Sequence, residues 1–313
     1  MFDIPVAIIF FNRPDKLKET FEKVKQVQPS KLFLIQDGAR NDRFENDTVK
    51  IHECREIVSN IDWNCEVYRE YSEKNLGCGI RPSSGISFAF SKVDKLIILE
   101  DDCVVDVSYF NFCKQMLEKY ELNQKIMLIS GMNLLGQWRQ DECSYFFSQV
   151  CTIGAWATWK RVWDNYDFEI KSFDNKDNKK ILNQNIKFTD VRNQKFWAWN
   201  LTREKIKHYE KINWWDYQFH YWLYLNNGLG VIPSKNLVLN IGFGEDATNV
   251  ADKKAGAHFN LQVYQMEKDL REPAKIECDE VFDRKVYDLQ HIKVNKLKIL
   301  LSKIKRMILR IGK

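Results

Sequence analysis

The chain of 313 residues reads as an α/β fold built on a Rossmann-like, mainly parallel central sheet flanked by helices, and three observations predict it. Short apolar runs alternate with stretches of helical period as far as Ser130, which calls for right-handed βαβ crossovers. Leu96-Ile97-Ile98-Leu99 is apolar at every position, the mark of a strand buried on both faces. That strand runs directly into three carboxylates, Glu100-Asp101-Asp102, and ligands of open α/β sheets sit just beyond the carboxyl ends of the strands.

The elements follow in order. Ile4–Phe11 is a strand, and Arg13-Pro14-Asp15 opens a helix that places Leu17, Phe21 and Val24 on one face. Lys31–Gln36 is a second strand, ending in the turn pair Asp37-Gly38. A charged helix over about Glu45–Ser59 leads to a third strand, Cys65–Glu70. The loop Asn75-Leu76-Gly77-Cys78-Gly79 feeds a helix near Ser83–Lys92, and the acidic strand comes next. A helix over about Val107–Leu122 and a strand over Lys125–Ser130 complete the regular part. No internal repeat is visible.

Beyond Ser130 the character changes. Nine of the ten tryptophans lie between Trp138 and Trp222, so the second half is a mixed, aromatic-rich region. Aromatic faces stack on sugar rings and equally fill cores. Asp167–Asn185 is polar and reads as a surface excursion. Residues 243–258, rich in glycine and acid at their start, are expected to be either a lid or a passive connection. The organisation is therefore 1–104, 105–290 and a tail at 291–313, the first two being halves of one domain.

Composition narrows the classes. With 44% hydrophobic and 29% charged residues the chain is an ordinary globular protein rather than a disordered one. No run approaches the roughly 20 apolar residues of a membrane span. Val6–Phe11 lacks the flanks of a secretory signal. The eight cysteines form no Cys-x-x-Cys pair and several lie in apolar patterns, so reduced core thiols and a cytoplasmic location are expected.

The net charge of +5 is concentrated at one end. Residues 291–313 carry eight Lys/Arg and no acid, so the body is slightly acidic and nucleic acid is not an expected partner. Leu297, Leu300, Ile304, Ile308 and Ile311 share one helical face, opposite most of the lysines and arginines. That pattern predicts an amphipathic helix lying on an anionic membrane surface, at the inner face of the plasma membrane.

Three adjacent carboxylates at a strand mouth are electrostatically costly, and a divalent cation or sugar hydroxyls would offset the cost. The surroundings carry a resemblance. Phe10-Phe11-Asn12-Arg13-Pro14, Ile35-Gln36-Asp37-Gly38, Arg81 with Gly85, and Ile97-Ile98-Leu99-Glu100-Asp101-Asp102-Cys103-Val104-Val105 follow one another as they do in GT-A glycosyltransferases. Gly154-Ala155-Trp156-Ala157 with Arg161-Val162-Trp163, and then Trp215-Asp216, extend the likeness over about residues 4–245. Among these enzymes the chain most resembles the N-acetylglucosaminyltransferase I group. Gly79 stands near where that group carries a histidine, and the stretch Asp167–Ile212 is longer than its pattern.

The resemblance implies a set of roles. Arg13 and Asp37 would hold the uracil and ribose of a UDP-sugar, Glu100 and Asp101 would meet sugar and ribose hydroxyls, and Asp102 would ligate Mn²⁺ (or Mg²⁺) on the diphosphate. Arg81 would help balance that charge as a bidentate partner. Asp216 would be the catalytic base, with Asp190 as the alternative. An aspartate among Trp214, Trp215 and Tyr217 is partly desolvated, which suits a group that must take a hydroxyl proton. The expected activity is an inverting, metal-dependent transfer of a sugar, GlcNAc first, to a hydroxyl of a glycan or glycolipid. A sugar nucleotidyltransferase would want a glycine-rich phosphate loop after the first strand, and Phe11-Asn12-Arg13-Pro14-Asp15 has no glycine. A non-catalytic sugar- or membrane-binding module is the third possibility.

Overall fold

A computed structural model describes residues 1–242 and 261–290. The expected lid at 243–258 and the basic tail at 291–313 lie outside the described residues. Strand β1 (Val6–Phe10) is flanked by β2 (Lys31–Gln36) and β4 (Lys95–Glu100), with β3 (Glu66–Tyr71) outermost, and all three pairings are parallel. The sheet continues through β8 (Ala155–Trp159), β6 (Ile126–Ser130), β9 (Leu229–Pro233) and β7 (Tyr145–Ser148), giving eight strands in the order β3-β2-β1-β4-β8-β6-β9-β7. Beyond β4 the pairing is mixed: β8 is antiparallel to both its neighbours, β6 and β9 are parallel, and β7 is antiparallel. One α/β sheet, mainly parallel, thus runs through both halves of the chain.

Helix α1 (Pro14–Val27) begins with proline just inside its first turn, where a missing N–H costs nothing. It buries Leu17, Thr20, Phe21 and Val24, the expected apolar face with one threonine added. Helix α2 (Phe44–Ser59) packs beside it. Helix α3 (Gly77–Phe90) starts six residues earlier than the expected Ser83 and carries Pro82 within it. Helix α4 (Ser108–Lys119) covers β4, β6 and β8. A ribbon of β5 (Cys103–Val105) and β10 (Val238–Asn240) forms immediately after the acidic run.

The second half adds α5 (Lys160–Trp163), α6 (Lys176–Asn185), α7 (Thr189–Lys207), α8 (Asp216–Leu225) and α9 (Glu280–Gln290). The stretch expected as a polar surface excursion therefore contains helices. Most of the tryptophans fill core: Trp156, Trp159 and Trp199 are fully buried, and Trp163 stacks on Tyr166 at 4.4 Å. All eight cysteines are free thiols, five of them buried. Among the described residues no helix is long and apolar enough to cross a membrane.

Candidate active site

The site forms where three strand ends meet. Because Ile9 is in register with Glu100, the residues just past β1 lie beside those just past β4, and the Asp101 amide donates to the Ile9 carbonyl at 3.0 Å. On the other flank, the Glu100 amide donates to the Gly154 carbonyl at 3.0 Å, one residue before β8. The Ile241 amide donates to the Asp102 carbonyl at 2.8 Å, which carries the chain leaving β10 over the acidic run. A Cβ on Gly242 would overlap the Asp102 carboxylate, so only glycine allows this approach.

The three carboxylates differ in their surroundings. Asp101 is buried, and both of its oxygens take hydrogen bonds from Arg13: Nε donates at 3.2 Å and Nη2 more closely. Asp102 Oδ2 accepts from Arg13 Nη1 at 2.9 Å, while Oδ1 lies 3.7 Å from the Cys103 thiol. Burial works against charge on Arg13, but Asp101 and Asp102 more than offset it and raise its pKa. Arg13, expected at the uracil and ribose, is ion-paired across the acidic run, and Asp101, expected at sugar and ribose hydroxyls, faces its guanidinium; both pairings follow from the β1–β4 register.

Glu100 is half-buried and reaches no cation at ion-pair distance among the described residues. Burial pushes its carboxyl well above the usual carboxylate range, and the charges of Asp102 and Asp101 push it further. Asp216 pushes it the same way, as the weakest of these influences. Asp216 itself is half-buried in the first turn of α8, where an acidic side chain complements the helix dipole. Tyr166 Oη donates to the Trp215 carbonyl at 3.1 Å, and Trp156 packs on Trp215 at 5.8 Å. The aromatic cluster so braces the helix start that carries Asp216.

Two residues near Asp216 were not singled out from the sequence. Lys195 of α7 lies over the rings of Tyr217 and Tyr224, at 5.5 and 5.8 Å, and burial lowers its pKa while Asp216 works the other way. His220 is one helical turn after Asp216 and is buried, with Nδ1 2.9 Å from the Asp216 carbonyl and Nε2 3.0 Å from the Cys151 carbonyl. The i, i+4 spacing from Asp216 was a signal for His220. Nothing local marked Lys195, which comes from another helix.

Asp37 and Arg81 have structural work. Asp37 accepts from the Gly38 amide at 2.9 Å, the Leu76 and Gly77 amides at 2.8 Å each, and Asn75 Nδ2 at 3.1 Å. It ties the end of β2 to the start of α3, with every oxygen already engaged. Arg81 is buried, with Nε donating to the Gln36 carbonyl at 3.1 Å, Nη1 facing Glu70 at 3.4 Å, and Nη2 on the Glu70 carbonyl. Arg81, expected beside the diphosphate, straps α3 to the ends of β2 and β3. Asp190, the alternative base, is exposed and paired with Arg284 at 2.8 Å.

Three carboxyl groups face one guanidinium, and the carboxyl oxygens are hard donors. That chemistry fits Mg²⁺ or Mn²⁺. Among the described residues no three His, Cys, Asp or Glu side chains are grouped to hold a metal by themselves. A cation here would take Asp102, with Glu100 beside it, and complete its shell from substrate phosphate and water.

No protein-family model matches the chain, and no curated protein matches it. Among solved structures it is similar to the inositol-1-phosphate CTP transferase from T. maritima, at 11% identity over 82% of this chain and 95% of that one, with a TM-score of 0.41. HddC from Yersinia pseudotuberculosis is 12% identical over 55% of this chain and 86% of its own, with a TM-score of 0.33. The 4-diphosphocytidyl-2C-methyl-D-erythritol synthase from Anaerococcus prevotii is 10% identical over 52% and 75%, with a TM-score of 0.31. No residue role is taken from likenesses of this degree.

Proposed function

We propose that this protein is a glycosyltransferase of the GT-A type, resembling the N-acetylglucosaminyltransferase I group, that moves a sugar from a UDP-sugar to a hydroxyl of a glycan or glycolipid with inversion. GlcNAc is the first donor to test. The observation that carries the reading is the acidic run Glu100-Asp101-Asp102 at the carboxyl end of β4, set against Arg13 where ligands of open α/β sheets bind. An inverting transfer needs one carboxylate to take the acceptor proton and a separate counter-charge for the leaving group.

Asp216 takes the proton from the acceptor hydroxyl. The oxygen then bonds to the anomeric carbon as the bond to UDP breaks, and the electron pair leaves on the diphosphate. A divalent cation bound at Asp102 would supply the Lewis acidity that neutralises that leaving group. Glu100 would meet a sugar hydroxyl as an acceptor. Arg13 orients Asp101 and Asp102. The basic segment 291–313 would hold the enzyme at an anionic membrane, testable by sedimentation with phosphatidylglycerol vesicles.

The test is UDP release from a panel of UDP-sugars with Mn²⁺, Mg²⁺ or chelator. Asp216→Asn is expected to lower kcat by roughly two to four orders of magnitude with the donor KM little changed. Pyrophosphate release from a nucleoside triphosphate and a sugar phosphate, in place of UDP release, overturns the reading in favour of a nucleotidyltransferase. Donor binding without product of either kind would make the chain a binding module.

A further inference from the structure

We propose that Arg13 is the built-in counter-cation of the acidic run and competes with a divalent cation for Asp102. The inference rests on the metal-assisted reading above and adds what the free site does before the cation arrives.

The division of the guanidinium's contacts carries the argument. Nε and Nη2 both go to Asp101, whereas Asp102 receives Nη1 alone, at 2.9 Å. Asp101 is also held by its backbone: its amide donates to Ile9 at 3.0 Å, and its carbonyl accepts from Thr20 Oγ1 of α1 at 3.0 Å. The Arg13 carbonyl in turn accepts from the Leu17 amide at 3.0 Å, so the first turn of α1 fixes the arginine backbone. The Arg13–Asp101 fork is thus anchored at both ends, and the arm to Asp102 is the one that can be given up. Giving it up breaks a single hydrogen bond and leaves the two-point pair intact.

Charge supplies the reason for an exchange. The side chains of Arg13, Asp101 and Asp102 are 18%, 3% and 10% exposed, so water screens the three charges poorly. With Asp101 committed to Arg13, the arm to Asp102 shares a charge already in use, and among the described residues Glu100 reaches no cation at ion-pair distance. A hard divalent ion on Asp102 serves both remaining carboxylates better than one N–H does. The N–H so released is a donor for an anionic oxygen, such as that of a diphosphate. Metal alone therefore binds against Arg13, and metal with nucleotide diphosphate binds with its help.

Manganese titration followed by the electron paramagnetic resonance of free Mn²⁺, without nucleotide, tests this. Arg13→Gln is expected to tighten Mn²⁺ about tenfold or more. Arg13→Lys, which keeps a cation and so the charge balance of the fold but loses the fork, is expected to fall between. Adding UDP should tighten Mn²⁺ in the wild-type protein and do so less in Arg13→Gln. An Arg13→Gln affinity equal to or weaker than wild type overturns the proposal, as does the absence of measurable Mn²⁺ binding in both proteins. Should Arg13→Gln not fold, the Arg13→Lys titration decides by the same criterion. Tightened Mn²⁺ in a protein that turns over no UDP-sugar would sink the function proposed above and leave this inference standing. Metal-dependent turnover with unchanged Mn²⁺ affinity in the variants would do the reverse.

Discussion

The backbone of Gly79 touches that of Ile212. A Cβ added at Gly79 would overlap the Ile212 carbonyl oxygen and come within 3.3 Å of the Trp214 amide nitrogen. The first turn of α3 therefore lies directly against the segment that leads into α8 and Asp216. The position where the resembling enzymes carry a histidine is one where this chain has room for no side chain at all.

Gly79→Ala is expected to displace residues 211–214 and with them the start of α8. Loss of about 1–3 kcal/mol of stability follows from the forced backbone shift, and UDP release should fall at least about tenfold through misplacement of Asp216. Urea unfolding and initial rates check the two effects. Wild-type activity in Gly79→Ala would show that the contact does not position the base.

Glu100 sets a pH dependence of stability. Its carboxyl titrates higher in the folded protein than in the unfolded chain, from burial first and then from Asp102 and Asp101. The folded state thus holds this proton more tightly. The associated stability is complete below the unfolded value of about 4.3 and is lost as pH rises through the folded one. Glu100→Gln, which cannot ionise, should raise the melting temperature at pH 8 and have little effect near pH 4. Saturating Mg²⁺ should narrow the difference at pH 8.

His220 acts in the opposite direction. Its burial, then the charge of Lys195, push its pKa down to about 4, so the folded protein keeps the ring neutral where the unfolded chain would protonate it. Its share of stability is present above about pH 6.5 and is lost as pH falls towards the folded value. His220→Gln should flatten the fall in melting temperature between pH 6.5 and 4. An unchanged slope would show that other groups cause it.

Two tryptophans of one cluster should respond differently to replacement. Trp163 Nε1 donates to Ser87 Oγ at 2.9 Å, whereas Trp156 Nε1 is buried with no hydrogen-bond partner among the described residues. Both substitutions by phenylalanine lose ring volume, but Trp156→Phe also removes an unpaired donor. Trp163→Phe is expected to cost about 1–2 kcal/mol more than Trp156→Phe. Chemical denaturation midpoints rank them, and the reverse order would contradict this account of the cluster.

Much of the first half was legible because its signals are local. The β2 strand was expected at Lys31–Gln36 and lies there, and the face Leu17-Phe21-Val24 is the buried side of α1. The start of α3 was missed because its capping carboxylate comes from Asp37 at the end of β2, far off in sequence, and no capping residue lies next to Gly77. Site residues were legible as a neighbourhood and not as contacts. The pairing of Arg13 with Asp101 and Asp102 depends on a strand register that no local pattern encodes. Arg81 and Asp37 were read as ligand contacts from the resemblance; in the structure Arg81 bonds the Gln36 carbonyl and Glu70, and Asp37 bonds Asn75 and three backbone amides.

The capping of α3 by Asp37 has a consequence for where a phosphate can dock. A helix start in an α/β protein ordinarily offers its bare amides, and the positive end of its dipole, as a cradle for phosphoryl oxygens. Here the Asp37 carboxylate occupies that cradle. The proposed reaction therefore expects the pyrophosphate of its donor not at α3 but past the ends of β1 and β4, beside Arg13 and Asp102.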